Sequence, residues 1–164
     1  MRLAHIRSDL PGEMNRTLSA LAEAMLADGA RVVGAVQVDG NPGGDTPGDM
    51  DLQVLPDGPR ICISQSLGSG SGGCRLNPER LEEVVQECSV RLAQGADLLI
   101  VNKFGGHEAD GRGFRELIAT ALSEGVPVVI GVTAEKLSDY ESFAGDLAEE
   151  VACDLAALRA WCAA

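Results

Sequence analysis

Aromatic residues make up only 3% of this 164-residue chain, so its core has to be built from Leu, Val, Ile and Ala. Positive charge is scarce too: 13 Lys and Arg stand against 25 Asp and Glu, a formal net charge of −12. A field of that sign repels phosphate backbones and anionic lipid heads, which argues against nucleic acid and membrane surfaces as partners. No run reaches the about 20 apolar residues of a membrane span, and the stretch before the first helix is too short for a secretory leader. The expectation is no membrane insertion and a cytoplasmic location. There are two histidines, His5 and His107, and five cysteines, Cys62, Cys74, Cys88, Cys153 and Cys162, with no C-x-x-C pair. That leaves no zinc or redox motif and suits reduced thiols in the cytosol.

What is present is an ordinary globular composition, 45% apolar and 23% charged, at the length of one domain spanning residues 1–164. Such a chain buries roughly 70% of its unfolded surface. One local pattern recurs three times, a helical stretch, a glycine and an apolar strand: Gly29 before Val32 to Val36, Gly95 before Leu98 to Val101, and Gly125 before Val126 to Ile130. Glycine past a helix closes it in the left-handed conformation. The preceding helices carry apolar stripes at helical spacing: Met14, Leu18, Leu21 and Met25; Leu81, Val84, Cys88 and Leu92; Phe114, Leu117, Ile118 and Ala121. The strands are continuously apolar, as parallel strands covered on both faces are. The fold expected is α/β and three-layered, with a mostly parallel sheet. Two short runs, residues 51–55 and 60–65, flank the turn Pro56-Asp57-Gly58-Pro59 and predict an antiparallel hairpin at the sheet edge. Residues 147–161 read as a final amphipathic helix, and no linker divides the chain.

In open α/β sheets ligands bind beyond the carboxyl ends of the strands. Three loops there carry unusual residues. Residues 7–13, after the strand at 2–6, occupy the place of a phosphate loop, but hold one glycine, no lysine, and the acids Asp9 and Glu13. A capped helix start fits them better than a phosphate site. The second loop, with Gly68, Ser69, Gly70, Ser71, Gly72, Gly73 and Arg75, runs into Asn77 and Pro78, an N-cap and first helical residue. Converging N–H groups, hydroxyls and an arginine can cradle an anion, and a plain surface loop has the same composition. The third loop, residues 102–114, concentrates Asn102, Lys103, Gly105, His107, Glu108, Asp110 and Arg112 at a strand's carboxyl end. Asn102-Lys103 echoes a guanine-reading N-K-x-D, yet Gly105 stands where the acid is needed. A metal at His107, Glu108 and Asp110 would need consecutive loop residues to converge, so no metal site is assigned. Ser69 and Ser71 lie in no nucleophile elbow, and no catalytic residue is assigned.

Together the stretches 49–58, 63–68, 73–76, 96–108 and 111–114 resemble a bacterial family known only as a domain of unknown function, whose genes often lie beside molybdenum-transport genes. The order of elements is more distantly similar to THEP-type nucleoside-triphosphatases, which implies a P-loop-NTPase-like fold. In that family an acidic D-E-x-G-x-x-E strand end handles metal and water. This sequence keeps Gly105 and Glu108 in the frame but has Asn102 and Lys103 in place of the first two acids. Without those acids and the phosphate-loop lysine, magnesium-assisted phosphoryl transfer lacks its positioning groups. The resemblance therefore implies degenerate Walker motifs and a non-hydrolytic anion-binding accessory or regulatory protein of molybdenum metabolism. Molybdate is the small anion expected, on the loop at 68–75 and Lys103. A nucleotide-binding or hydrolysing protein with a rearranged site is the alternative, as is an interaction module that docks a transporter or cofactor-synthesis enzyme. The sequence names no cofactor, and a homo-oligomer is compatible with it.

Overall fold

The computed structural model describes residues 1–39, 50–65 and 76–164. Seven strands, β1 (Leu3–Ile6), β2 (Val32–Asp39), β3 (Met50–Leu55), β4 (Arg60–Cys62), β5 (Leu98–Phe104), β6 (Val128–Val132) and β7 (Ala148–Glu150), form one sheet in the order β4-β3-β2-β5-β6-β1-β7. The run from β2 to β7 is parallel throughout, and β3 pairs antiparallel with both β2 and β4. The expected α/β class, parallel sheet and edge hairpin are all present.

Helices cover both faces, which is why the central strands carry no polar face. On one side, Leu18, Leu21 and Ala22 of α1 (Glu13–Ala27) and Leu158 and Trp161 of α6 (Leu155–Ala163) bury Ala4, Ile6, Val32, Val36, Leu98 and Ile100. On the other, α2 (Pro78–Ala93), α4 (Arg115–Ser123) and α5 (Leu137–Ala144) bury Val33, Ala35, Leu99, Val101, Val128 and Ile130. Neighbouring residues thus serve opposite cores, as the two-residue period of a strand requires. The turn glycines Gly29, Gly95 and Gly125 all have positive φ. Asn77 caps α2 as its sequence predicts, its side-chain oxygen accepting from the Glu79 and Arg80 amides at 3.0 and 3.4 Å.

The structure corrects four expectations. Residues 147–161 are not one helix: Ala148–Glu150 pair with β1 as an edge strand, and α6 starts only where the Asp154 carboxylate accepts from the Ala157 amide at 3.0 Å. The second hairpin strand is shorter, Arg60–Cys62 in place of 60–65. Helix α5 carries no strong apolar stripe and was not expected; Tyr140 and Ala144 are its buried contacts. Residues 102–104, expected in a loop, extend β5.

Candidate functional site

The extension of β5 shapes the site. Val101 pairs with Ile130 and Phe104 with Val132, so β5 spends one more residue than β6 between these pairs, which is a bulge. Gly131 makes room for it: a Cβ there would lie 2.4 Å from the Asn102 carbonyl oxygen. The bulge re-aims the side chains. Asn102 and Phe104 are buried, while Lys103 is exposed. The Asn102 side chain ties three elements together, its oxygen accepting from the Gln37 amide of β2 at 2.8 Å and its nitrogen donating to Asn15 of α1 at 3.1 Å.

Gly105 leads into the short α3 (Gly106–Ala109), which carries Glu108. That side chain is only 3% exposed. Its carboxylate accepts from the Gly105 amide at 3.1 Å and the Phe114 amide at 3.4 Å, folding the loop at 105–114 around itself. Burial pushes the Glu108 carboxyl above the usual range, and the amide donors of Gly105 and Phe114 oppose that. Gly113, at φ +61°, lies so close that a Cβ would meet a Glu108 oxygen at 2.6 Å. Its amide donates to Glu82 of α2 at 3.2 Å. Arg112 projects away and pairs with Asp110 at 3.7 Å, both well exposed.

Lys103, Gly105 and Glu108 open onto a cavity of about 210 Å³ at the carboxyl ends of β2 and β5. Its remaining wall is apolar: Met50 and Leu52 of β3, Ile63, Leu76, Leu81 and Phe114. Gln37 and Asn102 complete the polar end. Among the described residues no carboxylate pairs with Lys103. The predicted residues Gly68, Ser69, Gly70, Ser71, Gly72, Gly73 and Arg75 lie outside the described residues. Their flanks are held together beside this cavity: Gln65 donates to the Leu76 carbonyl at 3.1 Å, and Ser64 bridges Leu76. Sequence reasoning missed Gln37, Leu76 and Phe114 as cavity residues, because an apolar wall and a mid-strand glutamine look like ordinary core and surface.

At the β1 strand end the charge is of the other sign. Ser8 donates to Glu13, and the Ser8 oxygen accepts from the Leu10 amide at 3.1 Å. Glu13 stands in the first turn of α1, so a carboxylate already answers the positive end of that helix. The cap residue is Gly12, at φ +75°, and no side chain caps the helix. Elsewhere, a cavity of about 630 Å³ lies at the amino end of β2, between Arg31, Asp57, Glu87 and Arg91, remote from the strand carboxyl ends. Among the described residues no three His, Cys, Asp or Glu side chains gather for a metal. Burial pushes the Cys88 thiol up to about 12 and raises those of Cys153 and Cys162, so none of these is a thiolate at neutral pH. No helix of the described residues is long and apolar enough to cross a membrane.

Residues 3–161 match the family model described as "Protein of unknown function (DUF2478)". The chain belongs to the DUF2478 family. It is also 31% identical over 160 residues to the Molybdenum import ATP-binding protein ModC 2 of Bradyrhizobium diazoefficiens. The match takes in 98% of this chain and 18% of that protein, so the chain spans about a fifth of the relative's length. Among solved structures it superposes on THEP1 from the hyperthermophile Aquifex aeolicus with a TM-score of 0.65 at 13% identity, covering 94% of this chain and 90% of that one. This DUF2478 chain therefore has a P-loop-NTPase-like fold.

Proposed function

We propose that this DUF2478 chain is a non-hydrolytic, anion-binding accessory or regulatory module linked to molybdenum transport or metabolism. The observation that carries the proposal is the charge at two strand ends. Ser8 and Glu13 fill the phosphate-loop position after β1, and Lys103 stands at the end of β5 where THEP-type enzymes are expected to hold acids. Phosphoryl transfer needs the opposite: cations and N–H donors around the phosphates, and carboxylates for the metal. A lysine that has no carboxylate partner among the described residues, beside a cavity, suits anion capture without chemistry. The 31% identical ModC 2 protein supports the link to molybdenum. Lys103 is the proposed anchor. Gly105 and Glu108 are proposed to hold its loop, and Asn102 to fix the strand end. Arg112 projects away and pairs with Asp110, so it is given no direct grip on the anion, and the glycine-rich residues 68–75 are proposed as further anion donors on their composition alone.

The test is thermal unfolding with molybdate, tungstate, sulfate, and ATP with magnesium, at matched ionic strength. A ligand at a hundred times its dissociation constant adds about 2.7 kcal/mol, a rise of several degrees at this size. The proposal expects a rise with molybdate or tungstate that Lys103→Met abolishes, and no magnesium-dependent phosphate release. The P-loop-like fold favours one second reading, a nucleotide-binding protein. A rise with nucleotide alone would select it, and phosphate release lost in Glu108→Ala would make it an enzyme.

A further inference from the structure

We infer that Asn15 is a positioning residue of the Lys103 site: through its bond to Asn102 it clasps the first turn of α1 to the ends of β2 and β5, and this clasp does the joining that a metal bridge would do. What Lys103 holds rests on the anion-binding reading; the clasp itself rests on geometry. Two residues of β5, Asn102 and Lys103, oppose the single Gly131 of β6, so that ladder does not fix their backbone residue by residue. On the other side, the pairing of β5 with β2 runs from Leu98 with Val32 to Val101 with Ala35 and stops before Asn102. The Asn102 side chain, 5% exposed, supplies the hold, with its oxygen on the backbone amide of Gln37 at 2.8 Å and its nitrogen on the Asn15 side-chain oxygen at 3.1 Å. Lys103 is the next residue along, so the direction in which its side chain leaves the strand follows from that grip.

The orientation of both amides is dictated. The Gln37 N–H is a donor and faces the Asn102 oxygen, which turns the Asn102 nitrogen, also a donor, toward α1. Asn15 then presents its oxygen, and without it a buried donor is left unanswered. In P-loop nucleoside-triphosphatases magnesium is held between a hydroxyl at the start of the helix after β1 and a strand-end acid, the residue that Asn102 replaces in the resemblance to THEP-type enzymes. The pair found here does not fit a cation. Magnesium takes oxygen ligands, whereas Asn102 aims a nitrogen donor at α1, spends its oxygen on Gln37 and is followed by a lysine.

Nuclear magnetic resonance of the full chain, followed by calorimetry with molybdate, tests this with Asn15→Leu and Asn15→Asp, the second of which keeps an acceptor oxygen for the Asn102 amide. Asn15→Leu is expected to shift the Lys103 backbone amide and to speed hydrogen exchange at the Asn102 side-chain amide about fivefold to tenfold, the worth of one hydrogen bond. The signals of Leu21 and Ile118, one in each core, stay in place and report a folded protein. Asn15→Asp restores the slow exchange. Asn15→Leu also weakens molybdate about fivefold to tenfold, and adding magnesium to the unsubstituted protein moves neither the Asn102 nor the Lys103 signal. An unmoved Lys103 amide in Asn15→Leu, or a magnesium-dependent shift at Asn102, overturns the clasp. Molybdate bound equally by Asn15→Leu and the unsubstituted protein overturns the positioning role and leaves the anion reading standing. No molybdate binding by the unsubstituted protein overturns the anion reading, and the signals of Asn102 and Lys103 then decide the clasp by themselves.

Discussion

Glu108 was picked out by sequence as one of several ionisable groups in a loop, and the structure shows what distinguishes it. It is the only one of that group that is buried, and two backbone amides close on it. Glu108→Ala leaves both donors unanswered and is expected to cost about 2–4 kcal/mol in urea unfolding. Its pH behaviour has a definite sign. Because the folded carboxyl titrates above its ordinary 4.5, the folded state keeps a proton that the unfolded chain has lost. Its contribution is therefore fully favourable below 4.5 and is lost as pH rises through the raised value. Glu108→Gln should remove that component of the stability profile, and an unchanged profile would contradict the burial argument. His5 works in the other direction. Burial lowers its pKa from 6.5, so the stability it contributes is present above 6.5 and is lost as pH falls through the lowered value. Its ring lies 4.8 Å from that of Tyr140, and neither His5 Nδ1 nor the Tyr140 hydroxyl has a hydrogen-bond partner among the described residues. Tyr140→Phe should therefore be neutral or stabilising by up to about 1–3 kcal/mol in thermal unfolding. A loss of that size would mean the hydroxyl is satisfied after all.

The central β2–β5 pair shows how backbone approach governs the sheet. Gly34 pairs with Ile100 at φ +126°, and a Cβ at that position would lie 1.9 Å from the Ile100 carbonyl oxygen. Gly34→Ala is expected to cost about 3 kcal/mol or more, measured by chemical denaturation, since both the conformation and the contact are lost. The sequence placed Gly34 correctly inside an apolar strand, and the elements on either side of it were legible for the same reason: glycine after a helix and doubly apolar strands leave few topologies. The β5 bulge was not legible. Asn102, Lys103 and Phe104 look like a loop because a polar pair interrupts the apolar run, and only pairing with β6 across Gly131 reveals that the strand continues. The strand β7 was missed for a related reason. Its three residues, Ala148, Glu149 and Glu150, are two-thirds acidic, and only the open edge of β1 makes a strand of them. α5 buries little beyond one tyrosine and one alanine, too sparse a stripe to be seen as periodic.

At the scale of the whole molecule, the net charge of −12 sets the background for the proposed role of Lys103. An anion approaching this chain meets a repulsive net field, so the proposed binding is expected to depend on the cavity and Lys103 more than on long-range steering. The chain has a P-loop-like scaffold, superposing on THEP1 with a TM-score of 0.65, and it places Ser8 and Glu13 after β1 and Lys103 near the end of β5. The residue types at those strand ends, Asp9, Glu13, Asn102 and Lys103, were legible in the sequence. The cavity behind Lys103 was not, because its wall comes from β3, α2 and residues near positions 63 and 76 that are distant along the chain. The most direct test of the account is a calorimetric titration of the protein and its Lys103→Met variant with molybdate, and separately with ATP and magnesium. The account predicts molybdate binding that the variant loses, with no heat of hydrolysis in either protein. Magnesium-dependent ATP turnover, or molybdate binding that survives Lys103→Met unchanged, would contradict it.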